Sequence, residues 1–175
     1  MNAFAERMLR AAKLDPTLYE EVEADKETMS QAMGVVVLTG LATGIGSMAR
    51  GGLGGLVSGA LWGVLAWLVG SLVMYYIGTR WFADEKTQAD YGQLLRTLGF
   101  AASPGLLRVF GIIGPLSWLM FWGTSIWMIA TTVLAVRQAL DYSTTSRAVI
   151  VCLLGFFAQV VVGWFFLLAG CGSAF

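Results

Sequence analysis

Residues Tyr91–Gly111 read YGQLLRTLGFAASPGLLRVFG, and whether this stretch crosses a bilayer decides how often the whole chain does. It is apolar enough to lie in lipid. Yet it holds Arg96, Arg108 and the pair Pro104-Gly105, which membrane helices normally avoid. On one helix the two arginines would stand about 18 Å apart. A hydrocarbon core is about 30 Å thick, so each is expected to snorkel to its own interface. Pro104 removes a backbone donor and clashes with the preceding turn. Such a break is tolerated where neighbouring helices or a water-filled cavity satisfy the freed groups, so the segment is expected inside a bundle. Two readings stay open. One is a kinked structural helix with two snorkelling ends. The other is a broken helix lining a ligand or lipid path, with Tyr91, Gly92, Arg96, Gly99, Pro104, Gly105 and Arg108 as its candidate residues.

Outward from this stretch the chain is equally apolar. Of 175 residues, 57% are hydrophobic and 13% charged, against about 25% charged in soluble domains. Mean hydropathy is +0.72. So few charges do not cover a water-facing surface, and the chain reads as an all-α integral membrane protein. Five apolar segments approach the roughly 20 residues that a span needs: about 31–49, 55–79, 92–113, 116–136 and 148–170. With the N-terminus inside and five crossings, Arg7, Arg10, Lys13, Lys26, Arg80, Lys86, Arg137 and Arg147 lie inside, and Arg50 and Arg108 outside. A re-entrant third segment would move Arg137 and Arg147 outside and weaken the positive-inside bias. The expectation is a five-helix bundle, its third helix broken or kinked, with the N-terminus in and the C-terminus out.

The first thirty residues differ from the rest, and they divide the chain into a cytosolic segment 1–30 and a membrane domain 31–175. They hold seven of the eleven acidic residues, and no cleavable signal is expected from such a start. Phe4, Met8 and Leu9 oppose Arg7, Arg10 and Lys13 on a short amphipathic helix, suited to a membrane surface or to docking on the protein's own membrane domain. Asp15-Pro16 starts a second helix, with Glu20 and Glu21 expected in its first turn. Glu20, Glu23 and Glu27 share a face and are expected to meet Arg80, Lys86 or Arg96 at the inner surface.

Gly51, Gly55, Gly59 and Gly63 recur at a spacing of four, with Gly40 and Gly44 before them. Small residues at that spacing let helix backbones approach closely. The short turn at residues 50–54 predicts a tight hairpin of the first two spans, and a homo-oligomer interface is the rival reading. Trp81 and Trp118 fall at span ends, as interface anchors do. The other tryptophans are expected to pack. The polar residues Thr39, Thr43, Thr97, Ser103, Thr124, Ser125, Thr131, Thr132 and Gln159 are available to line a path, or to serve as helix–helix glue.

The chain has no histidine, which excludes His-dependent triads and His metal sites. Cys152 and Cys171 would lie about 28 Å apart on one helix, too far for a disulfide. Phosphate-loop and nucleophile-elbow motifs are absent, and so are the basic clusters that nucleic acid requires. No catalytic residue, metal site or cofactor is expected.

Four blocks carry a family resemblance: LDPTLYEEVEADKETMSQA (14–32), VVVLTGLATGIGSM (35–48), YGQLLRTLGFAASPGLL (91–107) and AVRQALDYSTTSRA (135–148). With them the chain resembles the Yip1-domain family of multi-span membrane proteins, in its prokaryotic-looking form. The resemblance implies a helical membrane domain with a cytosolic N-terminus, in a bacterial inner or cell membrane. Eukaryotic members are linked to vesicle traffic and to Rab GTPases. Here the N-terminal region is short and a DLYGP-type motif is absent. The expected function is a non-enzymatic scaffold or adaptor for membrane proteins or membrane organisation, with membrane lipids and other membrane proteins as partners. The alternative is a small transporter or lipid-moving protein that uses the broken third span.

Overall fold

A computed structural model describes residues 2–47, 52, 54–83, 87 and 89–171, without the side chains of 55, 58, 162–163 and 165–171. The described residues form helices and connecting turns, with no strand. Three helical stretches are long and apolar enough to cross a membrane: Lys26–Gly46, Gly59–Arg80 and Gly114–Ala139. A shorter apolar stretch covers Thr145–Val161.

The N-terminal helices are α1 (Ala3–Ala12) and α2 (Pro16–Ala24). Asn2 caps α1 through the Phe4 N–H, and Asp15 caps α2 through the Thr17 N–H with Pro16 in the first turn. Polar caps of this kind satisfy donors that a helix start leaves open. Leu14 takes the left-handed conformation at the bend between the two helices (φ 61°). Arg10 then pairs with Asp15 and Glu21 (both 2.8 Å), and Arg7 with Glu21 (2.9 Å). Neither Glu20 nor Glu21 is a first-turn acid beside the helix start. Both lie in the second turn, where Glu21 joins α1 to α2.

This hairpin docks on the membrane helices. Ala11, Leu18, Tyr19 and Val22 are fully buried in one cluster with Val35, Phe100, Ala101 and Ala135. Trp127 donates its indole N–H to the Ala12 carbonyl (2.8 Å), and Phe4 reaches Gly34. The apolar face of α1 thus covers the protein's own helices.

The bundle proper is α3 (Met29–Gly46), α4 (Gly54–Arg80), α5 (Tyr91–Ala101), a 3-10 segment (Ser103–Ile112), α6 (Ser117–Ala139) and α7 (Thr145–Cys171). α3 and α4 meet at glycines. A Cβ built on Gly40 would stand 2.7 Å from Ala60 Cα, and one on Gly59 2.9 Å from the Gly40 carbonyl and 3.3 Å from Gly44 N. Gly63 faces Gly40 Cα at an ordinary 3.5 Å. Gly51 and the surroundings of Gly55 lie outside the described residues, as do Arg50 and Lys86.

A second cluster joins α4, α5, α6 and α7 around Met74, Leu94, Leu140, Tyr142 and Val151. Cys152 is buried there, while the Cys171 side chain lies outside the described residues. The tryptophans divide differently from expectation. Trp67 is a packing group, but Trp62, Trp122 and Trp164, also expected to pack, are each more than half exposed, as is Trp118. They sit on an apolar outer surface whose natural solvent is lipid.

Candidate functional site

The third apolar segment is two pieces. α5 starts at a capping box, in which Asp90 accepts the Gly92 N–H and the Gln93 side chain reaches back to the Asp90 N–H. It ends at Ala101. Pro104 has no N–H to give the Phe100 carbonyl, four residues back, so the α-helical ladder stops. Ser103 Oγ donates to that carbonyl instead (2.6 Å). Thr131 of α6 donates to the Ala101 carbonyl (2.7 Å), and Thr39 of α3 to the Ala102 carbonyl (3.2 Å). Three hydroxyls from three elements thus reach three carbonyls at the break, of which the Ala102 carbonyl also accepts the Gly105 N–H (2.9 Å). Gly105 lets the segment approach α3, because a Cβ there would press on Thr39 and on Met128 Sδ.

Arg96 does not snorkel, and here the structure corrects the sequence reading. Arg96 is 5% exposed and points into the protein. Its guanidinium donates to the carbonyls of Val22 (Nε, 3.0 Å) and Glu23, in the last turn of α2. A cation there satisfies orphan carbonyls and matches the helix dipole. Gly92 leaves room for it, since a Cβ would meet Arg96 Nη1 at 3.3 Å. Gly99 lies against Ala32 of α3. Tyr91 donates to the Leu68 carbonyl (2.9 Å) and Trp67 to the Leu95 carbonyl (3.0 Å), so α5 is stitched to α4.

The expected meeting of glutamates with basic side chains takes another form. Arg96 meets the backbone of Glu23, and Glu20 accepts from the Gln138 amide of α6 (2.9 Å). The Glu23 carboxyl is half-buried, which raises it to about 7. Nearby Asp141 adds to the rise and Arg96 opposes it. Asp15 falls to about 2, chiefly through its bond from Arg10. Arg137 donates to Thr145 Oγ1 (3.2 Å).

Arg108 turns the other way. It donates to Thr124 Oγ1 (Nε, 3.0 Å) and Ser125 Oγ (Nη2, 2.8 Å), and lies over the Phe121 ring at 5.0 Å. It also lines a 370 Å³ cavity between α3, α4, α6 and α7. Thr39, Thr43, Thr132 and Gln159 face the same space. So does Ser71, 1% exposed, whose hydroxyl has no hydrogen-bond partner. Ser71 escaped the sequence reading, because one serine in an apolar helix carries no signal until its neighbours are known. Among the described residues, no group of metal-ligating side chains comes together.

A family model described as the Yip1 domain matches residues 20–167. The chain belongs to the Yip1 family. No curated protein and no solved structure matches it. The Yip1 match begins within α2 and ends within α7, so the Arg96 joint, the break at Pro104 and the cavity all fall inside the family domain. Family membership and the three apolar helices make this a membrane protein.

Proposed function

We infer that this Yip1-family protein is a non-enzymatic scaffold or adaptor, which presents its N-terminal hairpin from a bundle of five crossings. One observation carries the reading. The broken segment is a closed joint: the carbonyls at the break accept from Ser103, Thr131, Thr39 and the Gly105 N–H, and Arg96 is held by α2. Polar groups occupied in this way hold the hairpin rather than serve a passing solute. Five crossings are supported by register. Gly92 lies near Met29, Gly99 at Ala32, Gly105 at Thr39 and Gly111 at Gly46, so the third segment follows α3 along its full length. Its two pieces together cover about 36 Å at 1.5 and 2.0 Å per residue, enough for a core of about 30 Å.

In this reading residues 1–30 face the cytosol of a bacterial cell, 31–175 form the membrane domain, and the C-terminus lies outside. Glu20 and Glu23 place the hairpin. Other membrane proteins and lipids are the partners, and neither cofactor nor nucleic acid takes part. A lipid-moving role is the second reading, favoured by the cavity beside Arg108. Liposomes carrying the purified protein separate the two. The adaptor reading expects no lipid scrambling and no solute flux above protein-free vesicles. Flux that disappears in Arg96→Ala, with the protein still folded, would establish transport along the third segment and overturn it.

A further inference from the structure

Arg108 carries its charge in an apolar setting with only neutral partners. Among the described residues no carboxylate pairs with it and no hydrogen bond reaches its Nη1. An unpaired guanidinium inside a membrane protein is costly, and an oxyanion is its natural complement.

The surroundings indicate which oxyanion. Thr124 and Ser125 lie about 10 Å inside the start of α6 at Ser117. Trp118 and Trp122, 71% and 53% exposed, occupy the outer surface of the same two turns, and Trp62 of α4 is exposed at that end of the cavity. Exposed tryptophans gather at the depth of lipid headgroups.

From there the cavity follows α4 from Gly59 to Met74. Fifteen residues cover about 22 Å, more than the roughly 15 Å of one leaflet. Small residues recur along this wall at helical spacing: Gly63 and Ala66 lie beside Trp62 and Trp67, Gly59 packs on the α3 backbone, and the Gln159 amide fills the place of a side chain at Gly70.

We propose that this groove binds one acidic phospholipid, its phosphate on Arg108 and one acyl chain lying along α4. The bilayer supplies such a ligand, whereas a soluble anion would leave the apolar length of the groove unfilled. The site is separate from the Arg96 joint and stands whether or not the hairpin serves as an adaptor.

Native mass spectrometry of the full-length protein, released from nanodiscs, tests this by counting retained lipid. Wild type is expected to keep one phosphatidylglycerol about tenfold in preference to phosphatidylcholine, whose choline competes with Arg108 for the phosphate. Arg108→Gln should abolish the preference. Thr132→Phe leaves Arg108 in place and fills the groove, and should lose the bound lipid. Equal retention of both lipids by wild type would overturn the proposal. So would a folded Arg108→Gln that still prefers phosphatidylglycerol. If Arg108→Gln does not fold, unchanged selective retention in Thr132→Phe has the same force. Displacement of the lipid by millimolar inorganic phosphate would show a free-anion site and overturn the lipid assignment.

Discussion

Arg96 and Arg108 belong to one segment and carry the same charge, yet they are used in opposite ways. Arg96 is enclosed and finds two carbonyls at the end of α2, that of Glu23 and that of Val22, which also accepts from Thr28 Oγ1 (3.1 Å). Arg108 finds two hydroxyls that already donate within α6, Thr124 to the Met120 carbonyl and Ser125 to the Phe121 carbonyl. The first contact completes both sides. The second leaves a cation whose protein partners gain little from it. A buried arginine thus reads as a structural pin when its partners need it, and as an open site when they do not.

The largest effect that would test this contrast is on stability. Arg96→Met strips two charge-assisted bonds from the α2 carbonyls and should destabilise the protein by about 3 kcal/mol. The hairpin should become protease-sensitive while the membrane helices persist. Arg108→Gln should cost only about 1 kcal/mol, because Thr124 and Ser125 keep their own bonds. Melting curves with matched proteolysis of residues 1–28 check both, and equal losses would break the comparison.

A smaller contrast concerns the glycines. Gly40→Ala sets a Cβ against the Ala60 backbone, and should cost about 2 kcal/mol through forced separation of α3 and α4. Gly63→Ala meets only ordinary van der Waals distances and should be near neutral. Denaturation in one detergent compares them. Similar losses at the two sites would mean that α3 and α4 are not held at the spacing described.

The smallest effect is a pH dependence at the hairpin joint. The Glu23 carboxyl rises from 4.5 to about 7, so the folded state holds its proton more tightly than the unfolded state does. Stability from this group is therefore fully present below about pH 4.5 and is lost as pH rises through 7. Because the carboxyl is only half-buried, solvent screening reduces the effect to about 1 kcal/mol. Hairpin docking should be tighter at pH 5.5 than at pH 8, and Glu23→Gln should flatten the difference. A profile that rises with pH, or is unchanged in Glu23→Gln, would remove Glu23 from the joint.

Much of this protein is legible along the chain. Low charge and long apolar runs establish a membrane protein of helices, because water cannot solvate such a surface. Asp15-Pro16 marks a helix start through capping, which is local chemistry. Pro104 announces a break through its missing N–H, whatever surrounds it. The family blocks are also sequence properties. What the chain does not reveal is which groups answer one another across it. Ser103, Thr131 and Thr39 close the break from three elements, and nothing local pairs Thr131 with Ala101. Snorkelling is the expectation for arginines in lipid, but tertiary packing turns Arg96 inward to the end of α2, and the two hydroxyls of α6 that meet Arg108 are equally invisible along the chain. Burial and partner choice depend on neighbours distant in sequence, and only the folded bundle decides those.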